Sequence, residues 1–316
     1  MNASISVIIP TYRRPELIGG CLDALDRQSL SPLEVIVVDQ SPDTKTREAV
    51  EKRLDGPAPI RYVHSDRAGV SLARNIGIRE SRGAILAFTD DDALPEPRWL
   101  ESIAAAFAAT HQSVGLVGGR ILPLWEKPRP PWYPASYEYL LPVFDYGGAL
   151  APFPQGSLPM TVNLSVTREV IDKLGGFHEE VGPRTGWRIS GEDSHFAWKA
   201  IEACVPVYYQ PEAVVLHRVP ASRMTRRFLL DRCWLEGISL LDIEEKRGIL
   251  SDERLRGHIS WHRRHVLKKL GSLARFPSVF FWNDPRILEA LGGAATSLSI
   301  FHRARQLLAK RRPENT

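Results

Sequence analysis

The sequence predicts an α/β protein built on a mostly parallel sheet with helices on both faces, followed by a helical C-terminal extension. Two observations carry this expectation. Ile5–Ile9, Glu34–Val38, Ile60–His64 and Ala84–Phe88 are short runs rich in apolar and β-branched residues, as strands buried on both faces are. Between them lie segments with apolar residues at helical spacing, and regular alternation of strand and helix calls for parallel strands joined by right-handed crossovers.

The first strand closes at Pro10-Thr11-Tyr12-Arg13-Arg14, and Pro15 opens a helix through Leu17, Ile18, Cys21, Leu22 and Leu25. The second strand ends at Asp39, before Gln40-Ser41-Pro42-Asp43, and a polar helix covers Thr44 to Leu54. After the third strand, Gly69 to Ile78 reads as a helix that follows a loop. The fourth strand stops at Thr89 and delivers three carboxylates in a row, Asp90, Asp91 and Asp92. Such a run either faces solvent or is neutralised by a cation, and hard divalent ions take one or two carboxylates plus substrate phosphates. Pro95 and Pro97 end the turn, and a helix begins at Trp99. Asp39 and the Asp90–Asp92 cluster are thus expected to end neighbouring strands on the carboxyl edge, where open α/β sheets bind ligands. Neither G-x-G-x-x-G after the first strand nor a P-loop is present.

Val114–Gly118 is expected to be a further strand. Residues 120–160 are rich in Pro and aromatic side chains, Trp132 among them, with little periodicity. They read as a long functional loop or as an insertion packed on the sheet. Met160–Ser165 is expected to be a strand and Arg168–Leu174 a short helix ended by Gly175-Gly176. The loop 177–190 leads to a helix with Glu192 and Asp193 in its first turn, where acids complement the helix dipole or serve chemistry. Val205–Tyr209 and Ala213–His217 are expected to be two strands, the second ending at a histidine.

With 43% hydrophobic and 25% charged residues among 316, the composition is that of a globular protein with a substantial core. Cys21, Cys204 and Cys233 have no paired spacing, which argues against a disulfide framework or a zinc site and suits a reducing compartment. Residues 2–9 pass straight into a strand pattern with no signal-peptide character, and no apolar run approaches a membrane span. The expected location is therefore cytoplasmic, with peripheral attachment to the inner face of the membrane as an option. Charge is unevenly distributed. Up to His217 there are 21 Lys and Arg against 27 Asp and Glu, a net −6, whereas from Arg218 onward 20 against 10 give a net +10. The stretch 252–274 carries Leu255, Ile259, Val266, Leu270 and Leu273 along one face, with Arg263, Arg264, Lys268 and Lys269 elsewhere. Such a helix suits an anionic membrane surface, or packs with its basic side in solvent; nucleic acid is a weaker candidate because no binding motif accompanies the charge.

Four motifs in fixed order, Ser6–Tyr12 (SVIIPTY), Glu34–Asp39 (EVIVVD), Gly69–Asn75 (GVSLARN) and Phe88–Asp92 (FTDDD), resemble the nucleotide-binding half of inverting family-2 glycosyltransferases with the GT-A fold. The likeness runs over about residues 4–218 and divides the chain into a glycosyltransferase domain, 1–218, and a basic helical region, 219–316. It implies that Asp39 hydrogen-bonds the nucleobase and that Pro10, Thr11, Tyr12 and Arg13 line its pocket. Asp90 and Asp92 would hold the ribose and the metal on the diphosphate, with Asp91 and Asn75 among the nucleotide-sugar-binding residues, and Arg74 and Arg223 are candidates to meet phosphate oxygens because Arg binds them bidentately. It further implies that Asp92, Asp90 and His217 hold Mn²⁺ or Mg²⁺, and that Asp193, or failing it Glu192, is the catalytic base. Trp132, Asn163 and Trp187 are the acceptor-side candidates. Gln40 departs from the family pattern, which often has a second acid there. The expected reaction is inverting, metal-dependent transfer from a nucleotide-diphosphate sugar to a hydroxyl of a glycan, lipid-linked or small-molecule acceptor. The alternatives are a nucleotidyltransferase and a non-catalytic sugar-nucleotide or glycan-binding protein.

Overall fold

Alternation along the first strands decides which side of the sheet each residue serves. In the computed structural model, which describes residues 4–110, 115–183, 190–273 and 284–311, strands β1 (Ile5–Thr11), β2 (Glu34–Asp39), β3 (Ile60–His64) and β4 (Ile85–Phe88) form a parallel array ordered β3-β2-β1-β4. Side chains two apart share a face. Ile5, Val7, Ile9, Val35, Val37, Ile85 and Ala87 therefore meet helices α1 (Pro15–Leu25) and α4 (Trp99–Ala109) in one core. Ile8, Leu86 and Phe88 face the other way and pack with Ile78, Phe177 and Phe196. Those partners come from helix α3 (Val70–Glu80), the loop that begins at Gly175, and helix α6 (Glu192–Glu202). Helix α2 (Lys45–Glu51) completes the set of crossovers. The α/β fold with helices on both faces is as expected, but β1 separates β2 from β4. Asp39 and the Asp90–Asp92 turn are thus one strand apart rather than on neighbouring strands.

Beyond β4 the sheet turns antiparallel. Its order continues β8 (Leu164–Thr167), β6 (Leu116–Trp125), β9 (Val207–Val219) and β5 (Ala93–Pro95), with β7 (Ala151–Pro152) on β9. Three expectations change here. Met160–Ser165 is a 3-10 turn, Thr161–Asn163, leading into β8 and the short helix α5 (Arg168–Leu174). The two strands expected between 205 and 217 are one continuous β9, whose extended backbone runs through Pro211 even though proline supplies no ladder donor there. β5 is too short to leave a pattern in the sequence and exists through its pairing with β9, Ala93 opposite His217.

The chain divides into two compact units. The first comprises Met1–Leu124, Pro142–Trp187 and Glu192–Arg218; the second comprises Trp125–Leu141, Arg188–Gly191 and Val219–Thr316. Within the second, α7 (Arg226–Lys246), α8 (Asp252–Leu273) and α9 (Pro285–Lys310) close over Leu241, Leu250, Leu255, Ile300, Ala304 and Leu307. Thr225 caps α7 through its hydroxyl, and Asp284 with Pro285 starts α9. Asp242 pairs with Arg303 at 2.7 Å, and Glu244 accepts from Arg254 Nε at 3.0 Å and contacts His258 Nε2 at 3.0 Å. No helix among the described residues is long and apolar enough to cross a membrane.

Helix α3 lies unusually close to β1, since a Cβ added at Gly77 would sit 2.4 Å from Ile8 Cγ2. Gly77→Ala is therefore expected to lower stability by about 1–3 kcal/mol through overpacking, despite alanine's better helix propensity. Chemical denaturation of the two proteins checks this.

Candidate active site

The predicted donor-side residues collect at the carboxyl ends of β1, β2 and β4. Asp39 is fully buried, and its carboxylate accepts from Ser41 N and from Tyr62 Oη, both at 2.8 Å. Burial first, and then that hydrogen bond to Asp39, push the Tyr62 phenol well above its usual range, so it stays a donor. Pro10 and Thr11 end β1 in register with Val38 and Asp39. Tyr12 beyond them is 39% exposed. Arg13 has a left-handed backbone, φ 56°, which lets its amide reach Ser41 Oγ at 2.7 Å while its guanidinium lies over the Tyr12 ring at 5.2 Å. Gln40 donates to Arg67 O at 2.6 Å and accepts from Gly69 N at 3.0 Å, so its amide holds the loop that opens α3.

The three consecutive carboxylates have three different environments. Asp90 accepts from Arg74 Nη2 at 3.0 Å. Asp91 is buried and accepts from Thr11 Oγ1 at 2.8 Å and Arg14 Nη1 at 3.0 Å. Its burial lifts the carboxyl to about 7, with Arg14 opposing. Asp92 receives the same Arg14 nitrogen at 3.2 Å and lies 3.4 Å from His217 Nε2. That approach is made by strand pairing. Ala93 lies opposite His217 and Arg218 N donates to Asp92 O at 3.0 Å, which brings a side chain 125 residues away beside the acid. His217 is 3% exposed, and its Nδ1 has no hydrogen-bond partner among the described residues.

The donor chemistry of Asp90, Asp92 and His217, carboxylate oxygens and an imidazole with an unspent nitrogen, fits Mn²⁺ or Mg²⁺. Among the described residues no cluster of three or more His, Cys, Asp or Glu side chains is gathered as a ready-made metal cage. An ion here would need ligands from substrate phosphate as well.

Glu192 and Asp193 open α6. Glu192 accepts from Arg74 Nη1 at 2.8 Å. The approach of the preceding loop needs glycine at 182 twice over: φ is +101°, and a Cβ would stand 2.8 Å from Glu192 Oε2. Asp193 is lifted to about 7 by burial and by the Glu192 charge, with Arg74 and the Ser194 amide opposing. A half-buried carboxyl whose proton affinity is raised toward neutral pH suits proton transfer.

Several predicted residues have their polar groups already engaged inside the protein. Arg74, 2% exposed, spans Asp90 and Glu192 and lies over the Phe177 ring at 5.6 Å. Asn75 exchanges two hydrogen bonds with the Phe177 backbone, each 2.8 Å. Asn163 accepts from Trp99 Nε1 and donates to Arg120 O and Ala213 O, all at 2.8 Å, with 2% exposure. Trp132 and Arg223 belong to the second unit, where Arg226 covers the Trp132 ring at 4.8 Å and Arg223 ends a 3-10 turn. Trp187 lies outside the described residues. Sequence reasoning missed Arg14 and Tyr62. The need of three adjacent acids for a cation pointed toward Arg14, whereas Tyr62 is legible only from the β2–β3 register.

A family model described as Glycosyl transferase family 2 matches residues 6–175, more than half of the chain. The chain belongs to glycosyl transferase family 2. As a member it is a glycosyltransferase, which sets aside the nucleotidyl-transfer and non-catalytic readings. Glycosyltransferase AglE of Haloferax volcanii is 32% identical over 216 residues, 67% of this chain and 66% of that protein. The glucosyl-dolichyl phosphate glucuronosyltransferase of the same organism is 24% identical over 87% of this chain and 88% of its own length. Among solved structures, the Pyrobaculum calidifontis mannosyltransferase PcManGT, in complex with GDP-Man and Mn²⁺, superposes with a TM-score of 0.57. It is 21% identical over 98% of this chain and 79% of its own, a likeness that establishes the GT-A fold.

Removing the guanidinium that joins Asp90 to Glu192 would leave two acids without their shared partner. Arg74→Ala is expected to cost about 3–5 kcal/mol, the usual effect of breaking a buried ion pair from one side. Arg74→Lys should recover only part of it, because one ammonium cannot reproduce the two-armed geometry. Thermal and denaturant unfolding of both variants measures the difference.

Proposed function

We propose that the protein is an inverting, divalent-metal-dependent glycosyltransferase that moves a sugar from a nucleoside-diphosphate sugar to an acceptor hydroxyl. The observation that carries the reading is Asp193, a half-buried carboxyl with raised proton affinity, adjoining an acid that Arg74 ties to the strand-end Asp90. Asp193 takes the proton of the acceptor hydroxyl as its oxygen bonds to the anomeric carbon. The bond from that carbon to the diphosphate breaks on the opposite side, which inverts the centre and releases a nucleoside diphosphate. Glu192, held by Arg74, positions the helix start and keeps the Asp193 carboxyl basic. Asp39 receives the N–H edge of the nucleobase, with Tyr12 and Arg13 beside it. Asp90, Asp92 and His217 would hold the divalent ion, which when bound neutralises charge on the leaving diphosphate. The GDP-Man and Mn²⁺ of PcManGT, on the same fold, support this donor and metal class. The dolichyl phosphate in the name of the glucuronosyltransferase relative supports a lipid-linked acceptor, in the synthesis of a glycolipid or other glycoconjugate.

Two outcomes test the proposal. Activity should require Mn²⁺ or Mg²⁺, and Asp92→Ala should abolish it while the far-ultraviolet circular dichroism stays unchanged; full turnover in EDTA would remove the metal from the reaction.

Asp193→Asn keeps size and hydrogen-bonding capacity but cannot take a proton, so turnover should fall by roughly 10²–10⁴-fold while donor affinity by calorimetry survives. In the unaltered enzyme kcat/KM should fall as pH drops below about 7, because the protonated acid is not a base, and that limb should vanish from the residual activity of the variant. Glu192→Gln should be milder; a heavier loss there than in Asp193→Asn would assign the base to Glu192.

A further inference from the structure

The C-terminal region, net +10, includes one helix, net +4, that the catalytic proposal does not use. Helix α8 spans Asp252–Leu273, and after Glu253 it has no acidic residue, while Arg256, Arg263, Arg264, Lys268 and Lys269 supply five cations. Leu255, fully buried, and Ile259 anchor it to α7 and α9, and Arg254 and His258 bind Glu244 of α7. The rest of its surface is not simply polar. Leu267 is 65% exposed, Trp261 52% and Leu270 46%. The expected packing of Leu270 on the apolar side is thus not what the structure has. At 100° per residue Leu270, Arg263, Arg256 and Leu267 lie within an arc of about 60°, Arg264 and Lys268 flank them on the side of Leu267, and Trp261 lies farther round, about 120° from Leu267. Trp261 is held there by its rings' neighbours on the same helix, stacked on His265 at 4.6 Å and edge-on to His262 at 4.5 Å.

We infer that the exposed face of α8 docks on an anionic lipid surface. The charge complementarity selects negatively charged headgroups, and the mixture of cations with large apolar side chains selects a bilayer over a nucleic acid. Arg and Lys stems run along the headgroup zone while Leu267 and Leu270 enter the acyl boundary. Leucines presented to a phosphodiester backbone would gain nothing. The helix lies in the interface and does not cross it, since no described helix can span. The inference does not depend on the donor, metal or base proposed for the catalytic unit.

Flotation of the full chain with vesicles tests it. Phosphatidylcholine vesicles containing about 30% phosphatidylglycerol should carry the protein up at low salt, and pure phosphatidylcholine should not; binding should weaken as salt screens the charges over about 8–10 Å. Arg263→Ala/Arg264→Ala should lower partitioning roughly 30-fold, since each cation near such a surface multiplies it about fivefold. Leu267→Glu, on the most exposed side chain of the arc, should abolish binding with helix content unchanged. Leu54→Glu, an equally apolar exposed site on the other unit, should bind as the unaltered chain does. No flotation at low salt, or equal flotation of all variants, overturns the inference. Capture by a DNA or RNA oligomer with vesicles left unbound overturns it in favour of nucleic acid.

Discussion

The Arg74 guanidinium lies almost out of water between Asp90, which follows β4, and Glu192, which opens α6 more than a hundred residues later. A charge taken so far from solvent persists only where it is paired and hydrogen-bonded on several sides. The same helix secures the segment that leads to α6. Ser71 Oγ donates to Val181 O at 2.7 Å, Val70 N to Pro183 O at 3.2 Å, and Asn75 grips Phe177 from both sides. Helix α3 therefore acts as the template on which the acid-bearing start of α6 is set against the strand-end acids. Without that pairing the proposed base has no defined distance from the donor end.

The order β3-β2-β1-β4 serves the site in a second way. By placing β1 between the strands that end in acid, it inserts Thr11 and Arg14 where they meet Asp91 and Asp92, and keeps Asp39 apart among Ser41 and Tyr62. The roles proposed for these groups, base recognition and diphosphate handling, are thereby kept on opposite sides of one strand end. Like charges a few ångströms apart would otherwise raise one another's proton affinity, adding to the burial that already lifts Asp91 to about 7 with Arg14 beside it.

Much of this was legible in the sequence. The four parallel strands and their helices were readable because each buried strand is an apolar run of its own, and the acids at strand ends stand out by charge against those runs. The second unit was less so. Trp125–Leu141 joins it although nearly eighty residues separate that segment from Val219, and no local pattern records such a long-range choice. Arg74, Asn75 and Asn163 were legible as special polar residues but not as internal braces. Whether a polar side chain faces a ligand or a backbone carbonyl depends on what the fold brings near it, and Trp99 reaches Asn163 from 64 residues away in the sequence. β5 was invisible for a related reason: three residues become a strand only when β9 lies beside them.

The pairing of β5 with β9 also limits how this enzyme can diverge. Successive strand residues point to opposite faces, so a slip of one position would turn His217 away from Asp92 and present Leu216 or Arg218 in its stead. The histidine's placement is thus digital rather than graded. Single-residue insertions or deletions inside Val207–Leu216 invert it, whereas a pair restores it, so length variation among descendants of this chain should accumulate in that strand in even steps and in the connecting loops in any number.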